Sequence, residues 1–230
     1  MPAFSSVLLR RTMRREKGHS PGPWTSVPSA VTVPSMYRDF SAPGRSTAYS
    51  TEAMAATSSP QATLAAIDVL RAGGNAVDAA ITASAVLCIT EPHMTGIGGD
   101  CFAILATPEG KVLGLNGSGR SAFAATPEWL RGEGLTRIDP HSPHAVTVPG
   151  AVDAWDELLR AHGTWSLARC LAPAIALAER GVPTLPRVAR DWPGHYALLT
   201  ASEGGRRHYL RNGHCPAEGD VMAYPALAET

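Results

Sequence analysis

Two glycine-bearing segments carry the residue types in this chain that could perform chemistry. In the first, Gly96-Ile97-Gly98-Gly99, adjacent glycines let backbone N–H groups approach an anion or a developing oxyanion. A dinucleotide fingerprint would need a strand before such a loop and a helix after it, whereas here a helix is read before it and a strand after. The same residues equally read as a tight helix-to-strand connection that must pack closely. The second segment, Asn116-Gly117-Ser118-Gly119-Arg120, sets an arginine beside flexible backbone at the end of a strand, where a guanidinium can clamp a carboxylate bidentately. A surface turn with a solvated arginine is the alternative. Ser118 does not complete the nucleophile elbow G-x-S-x-G, because Asn116 stands where the first glycine belongs and no helix is read after it.

The remaining candidates are weaker. Lys111 follows Gly110 but is succeeded by Val112, so no phosphate-binding Walker loop is formed. His93, after Pro92, has no nucleophile near it in sequence and reads as a hydrogen-bonded structural histidine. His141 and His144 share a loop with two prolines and no third ligand, so they are assigned no metal, and with neither a dinucleotide fingerprint nor a Walker loop in the chain no cofactor is expected. Cys88, Cys101, Cys170 and Cys215 are far apart with no C-x-x-C pair, which signals neither zinc nor a dense disulfide framework. A reducing compartment, and so a cytoplasmic location, is the simplest expectation. Asn116 also opens an N-x-S sequon, which would matter only in a secreted protein.

The elements that must position these residues are legible from caps and periodicity. Pro60 at a first helical position and Gly73-Gly74 as a stop predict a helix over 60–72. Asn75 can cap a second helix over 75–90, apolar on nearly every face and ended before Pro92. At about fifteen residues it falls short of the roughly twenty a membrane span requires, so it reads as a buried core helix. Residues 101–106 and 111–117 read as two strands of a β-hairpin joined at Pro108-Glu109-Gly110. Further on, Val152, Trp155, Leu158 and Leu159 share a helical face with Gly163 as the stop, and a second helix, beginning at Pro173, stops at Gly181. The stretch from Tyr209 has loop chemistry until a helix starts at Pro225, inside whose first turns the chain ends.

With 230 residues, 44% hydrophobic, the chain has the apolar content of one soluble domain and excludes collagen-like, coiled-coil and wholly disordered classes. Its 22 glycines and 19 prolines predict many loops. Twenty basic residues balance twenty acidic ones, leaving no global field to gather nucleic acid or anionic membrane. Residues 1–45, with Arg10, Arg11, Arg14 and Arg15 followed by a Pro/Ser stretch, read as a disordered leader or a start placed too far upstream, and 46–230 as the folded part.

The stretch AAIDVLRAGGNAVDAAITASAVLCITEPHMTGIGGDCFAIL resembles the opening of the gamma-glutamyltransferase (gamma-glutamyltranspeptidase) family of N-terminal-nucleophile hydrolases. It joins R-x-G-G-N-A-x-D-A-A, a second apolar helix, E-P-H and G-I-G-G before a strand. HAVTVPGAVDAW, PAIALAERG and YPALAET are similar to later pieces, so the resemblance runs over roughly residues 45–230 in family order. It implies an α+β chain forming part of a four-layer αββα sandwich. It also implies a longer precursor that cuts itself to expose a threonine at the start of a smaller subunit, whose hydroxyl attacks a small-molecule amide while its own α-amine takes the proton. That segment lies downstream of the residues matched here, so the resemblance assigns no catalytic residue, Thr230 included, and makes the nucleophile-bearing subunit the expected partner.

One departure bears on substrate. Transpeptidase members carry an arginine then a glutamate after the second strand to hold the substrate α-carboxylate. An ungapped reading puts Ser118 and Gly119 at those positions, with Arg120 two residues later. The expected substrate-binding residues are therefore Arg120, Ser118 and Asn116. The NGSGR pattern resembles the divergent amidohydrolases and acylases of the family more than its glutathione-specific enzymes. An inactive chain with only a binding role is the alternative from another class.

Overall fold

Asn75 organises the first half of the fold. In the computed structural model, which describes residues 47–230, its side chain accepts from the Val77 and Asp78 N–H groups, and Asp78 returns a bond to the Asn75 N–H, a complete capping box. From this cap α2 (Ala76–Thr90) runs with almost every side chain buried, as its unbroken apolar sequence requires. Before it, α1 (Pro60–Arg71) packs back along α2, burying Ala62, Ala66 and Val69, the i, i+4, i+7 stripe of an amphipathic helix. The turn between them is tight because Gly73 takes φ 86° and Gly74 comes so close to Val69 that a Cβ there would lie 2.5 Å from its Cγ1. Both helices fall where caps and stops predict, whereas the expectation for residues 1–45 lies outside the described residues.

The predicted hairpin is also present. β1 (Cys101–Ala106) and β2 (Val112–Gly117) pair antiparallel from Cys101 with Gly117 to Ala106 with Val112, and Lys111 closes the loop by accepting from the Thr107 N–H at 2.8 Å. Alternation gives the hairpin two unlike faces. Cys101, Ala103, Leu105 and Leu115 pack on the helical core, while Phe102, Ile104 and Val112 stand 60%, 85% and 66% exposed on the other side.

Two amphipathic helices complete the core. After a short α3 (Pro127–Gly132), capped by Thr126, α4 (Ala151–His162) buries Ala151, Ala154, Trp155, Leu158 and Leu159 and stops at Gly163. Val152 departs from the expected face and is 38% exposed, because it lies a quarter turn away from the i, i+3, i+4 stripe set by Ala151. α5 (Leu167–Arg180) begins six residues before Pro173, not at it, with Ser166 as its cap. Cys170, Ala174 and Ala178 form a small-residue stripe that packs closely on α2, and this contact holds the helix through the proline. The rest is a run of short elements: β3 (Val182–Pro183), α6 (Pro186–Asp191), α7 (Tyr196–Ala201), α8 (Glu203–Tyr209), β4 (Val221–Met222), which pairs with β3, and α9 (Pro225–Glu229). The β4 strand stands where only loop is expected. The architecture is α+β, with helices layered under one face of a hairpin whose other face is left open by the described residues. No helix among the described residues is long and apolar enough to cross a membrane.

Candidate functional site

Four segments meet at the open end of the hairpin: the glycine loop, residues 116–120, the irregular segment 147–150 and the first turn of α4. Their glycines explain how they come so close. A Cβ on Gly117 would lie 2.5 Å from the Ala154 Cβ and 2.9 Å from the Cys101 carbonyl oxygen. On Gly150 it would lie 2.3 Å from the Gly117 oxygen, and on Gly119 only 1.7 Å from the Val148 oxygen. No side chain fits at these three positions, so backbone packs on backbone.

Hydrogen bonds fix the contact. The Val148 N–H donates to the Arg120 carbonyl at 3.0 Å, and the Gly150 and Ala151 N–H groups both donate to the Gly99 carbonyl at 3.0 Å. Gly99 thus supplies an acceptor that satisfies the otherwise unpaired donors at the start of α4. Of the two readings of the glycine loop, close packing is the one Gly99 serves.

Within the 116–120 segment the three expected site residues have different fates. Asn116 Oδ1 accepts from the Ser118 N–H at 2.9 Å and from Ser118 Oγ at 2.5 Å, a side-chain-mediated turn that occupies both residues. No histidine or carboxylate among the described residues bonds to Ser118, so it has no base to activate it. Arg120 is exposed, and its guanidinium pairs with no described residue. The one side chain of the segment left open to an anion is therefore the arginine.

His93 sits apart, where the loop after α2 meets α6. Its side chain is only 4% exposed and its Nε2 lies 3.8 Å from Asp191 Oδ2, too far for a hydrogen bond, so both ring nitrogens lack partners. The expected hydrogen bond is absent because Arg187 and Arg190 already hold the Asp191 carboxylate. Burial holds the His93 pKa below its ordinary 6.5, with Asp191 only partly opposing. The unfolded chain therefore takes up a proton that the native protein refuses, and stability falls as pH drops through the unfolded pKa. His93→Gln is expected to flatten the unfolding free energy between about pH 7 and pH 5, and an unchanged slope in denaturation curves would contradict this. His144 stacks edge-on against Trp129 at 5.6 Å, and His141 donates its backbone N–H to Asp139. No group of metal-ligating side chains occurs among the described residues, and the four cysteines are free.

The sequence reading missed Asp78 as a structural centre. It is wholly buried and accepts from the Thr164 N–H, Thr164 Oγ1 and the Trp165 N–H at 2.9, 2.6 and 3.1 Å, besides its capping bond to Asn75. The N-x-x-D spacing of a capping box was the available signal; the partners on the α4–α5 connection had none.

The α+β chain shares its fold with solved gamma-glutamyltranspeptidase-family structures, which places it in the amino-terminal part of an N-terminal-nucleophile hydrolase fold. The structure matches the crystal structure of gamma-glutamyltranspeptidase from Helicobacter pylori with a TM-score of 0.71 and 26% identity, over 81% of this chain and 54% of that one. It matches a cephalosporin acylase from Bacillus halodurans with a TM-score of 0.69 and 38% identity, over 74% of this chain and 33% of that one. The family model for gamma-glutamyltranspeptidase matches residues 62–230, and the chain belongs to that family. It is 37% identical to the glutathione hydrolase-like YwrD proenzyme of Bacillus subtilis (strain 168) over 70% of this chain and 31% of that protein. It is 34% identical to the oxamate amidohydrolase proenzyme of Klebsiella pneumoniae over 79% of this chain and 35% of that protein. The chain thus spans about a third of the length of these curated relatives.

Proposed function

We propose that this chain supplies the substrate-carboxylate contact and part of the sandwich of a gamma-glutamyltranspeptidase-like amidohydrolase, whose threonine nucleophile lies on a downstream polypeptide. In this reading the threonine hydroxyl attacks the amide carbon, its α-amine takes the proton and returns it to the departing amine, and water or a second amine then releases the acyl group. The observation that carries the reading is Arg120, open to an anion at the end of β2 while Ser118 and Asn116 bond to each other. Glutathione, oxamate and cephalosporins, the compounds in the relatives' names, are all amides bearing a carboxylate, which suits a guanidinium anchor. Ser118 at the transpeptidase arginine position favours a second reading within the class, an acylase acting on a non-glutamyl amide. The bare hairpin face is where we place the nucleophile-bearing polypeptide. The four free cysteines support a reducing, cytoplasmic setting.

The test compares Arg120→Ala and Ser118→Ala in the assembled enzyme on matched amides with and without a carboxylate. A bidentate arginine–carboxylate contact predicts that Arg120→Ala lowers kcat/KM about ten- to a hundredfold on the carboxylate substrate alone. Arg120→Lys should recover little, since the planar fork is lost. Equal losses on both substrates would make Arg120 structural. A selective loss in Ser118→Ala alone would move the contact two residues upstream.

A further inference from the structure

Gly117, Gly119 and Gly150 all lie outside the left-handed region of backbone space, so what they provide is room and not an unusual φ. The room is used for one purpose. It lets the segment 147–150 lie directly against residues 117–120, with the Val148 N–H bonded to the Arg120 carbonyl and the far end of the segment tied to Gly99 through Gly150 and Ala151. Val148 is itself 64% exposed, so the segment is not held there by burial of its side chain. The segment carrying Arg120 would otherwise be a strand end followed by an irregular stretch up to α3, free to move. Anchored to α4, whose Ala151, Ala154 and Trp155 are core residues, it gains a rigid support.

We infer that the Thr147–Gly150 segment, acting through the Gly119 contact and the Val148–Arg120 hydrogen bond, positions Arg120 and so sets carboxylate specificity; Gly119 and Val148 are positioning residues that touch no substrate. The inference rests on the Arg120 reading above and adds to it the element that aims the side chain.

The experiment measures KM and kcat for Gly119→Ala, Val148→Pro, Arg120→Ala and the Gly119→Ala/Arg120→Ala double variant in the assembled enzyme, on amides with and without a carboxylate. Alanine at 119 must push the two backbones apart. Proline at 148 removes the N–H donor and sets its ring Cδ against the Arg120 carbonyl oxygen, so it breaks the same contact from the opposite segment. Displacement of a positioned group by about an ångström costs up to about a hundredfold, so Gly119→Ala should raise KM for the carboxylate amide about ten- to a hundredfold. The change in kcat and in the neutral amide should stay within about threefold, and the double variant should be no worse than Arg120→Ala. Val148→Pro should shift KM in the same selective direction, and it carries the test alone if Gly119→Ala does not fold. Equal losses on both substrates in these variants, or losses that multiply fully with Arg120→Ala, would overturn the positioning role while leaving Arg120 as the contact. An unselective Arg120→Ala would overturn the contact itself, and the positioning role with it.

Discussion

Asp78→Ala is expected to lower the unfolding free energy by about 2–4 kcal/mol, the range for leaving several buried donors without their charged acceptor. The carboxylate joins two distant pieces of chain: the start of α2, through the Asn75 N–H at 2.7 Å, and the α4–α5 connection, through Thr164 and Trp165. Truncation leaves the Asn75, Thr164 and Trp165 N–H groups and the Thr164 hydroxyl without their acceptor in a site that water does not reach. Burial alone would raise the Asp78 pKa, but the donors from Thr164, Asn75 and Trp165 outweigh it and hold the carboxyl below its ordinary 3.8. A depressed native pKa gives stabilisation that is complete above the unfolded value and is lost as pH falls through the native one. The difference between wild type and variant should therefore be constant near neutrality and shrink below about pH 4. Chemical denaturation across that range checks both statements, and a neutral-pH difference under about 1 kcal/mol would contradict the role given to Asp78.

The second large effect concerns the outer face of the hairpin. Phe102, Ile104 and Val112 form an apolar patch on a two-stranded ribbon with both edges open, a structure that is marginal without further strands or a covering layer. Ile104→Lys should leave the stability of this chain by itself within about 0.5 kcal/mol, because the side chain is already in water there. If the nucleophile-bearing polypeptide covers this face, as proposed, the same ammonium would be buried without a partner, which costs several kcal/mol, so association should weaken by at least about a hundredfold. Co-purification of the two polypeptides reads this directly. Assembly of Ile104→Lys at wild-type yield would place the partner elsewhere.

What the sequence reveals of this fold follows the range of the forces involved. α1, α2 and the hairpin are set by caps, stops and alternation within a few residues of one another, and each lies within a residue of its expected bounds. α5 is different: its span across Pro173 is decided by the contact of Cys170, Ala174 and Ala178 with α2, which no local signal near the proline announces. The helices α3, α6, α7 and α8 have six or seven residues each, fewer than two turns, and carry too little periodicity to be read. At the site, Arg120 and the glycines are visible as residue types, but the segment 147–150 that packs against them is far along the chain. The same holds for Asp78, whose partner Thr164 is 86 residues away, and for His93, whose surroundings come from α6 and the residues after it. Local chemistry is legible; the long-range partners that give it a role are not.

The central claim is that this chain contributes substrate recognition and scaffold while the nucleophile resides on the downstream polypeptide. The most direct measurement is amidase activity on a γ-glutamyl anilide and a related carboxylate-bearing amide, comparing the purified chain with the chain assembled with the nucleophile-bearing polypeptide. The account predicts no turnover by the chain alone and turnover of a carboxylate-bearing amide by the assembly. Turnover by residues 1–230 alone, or an assembly that cleaves neither substrate, would contradict it.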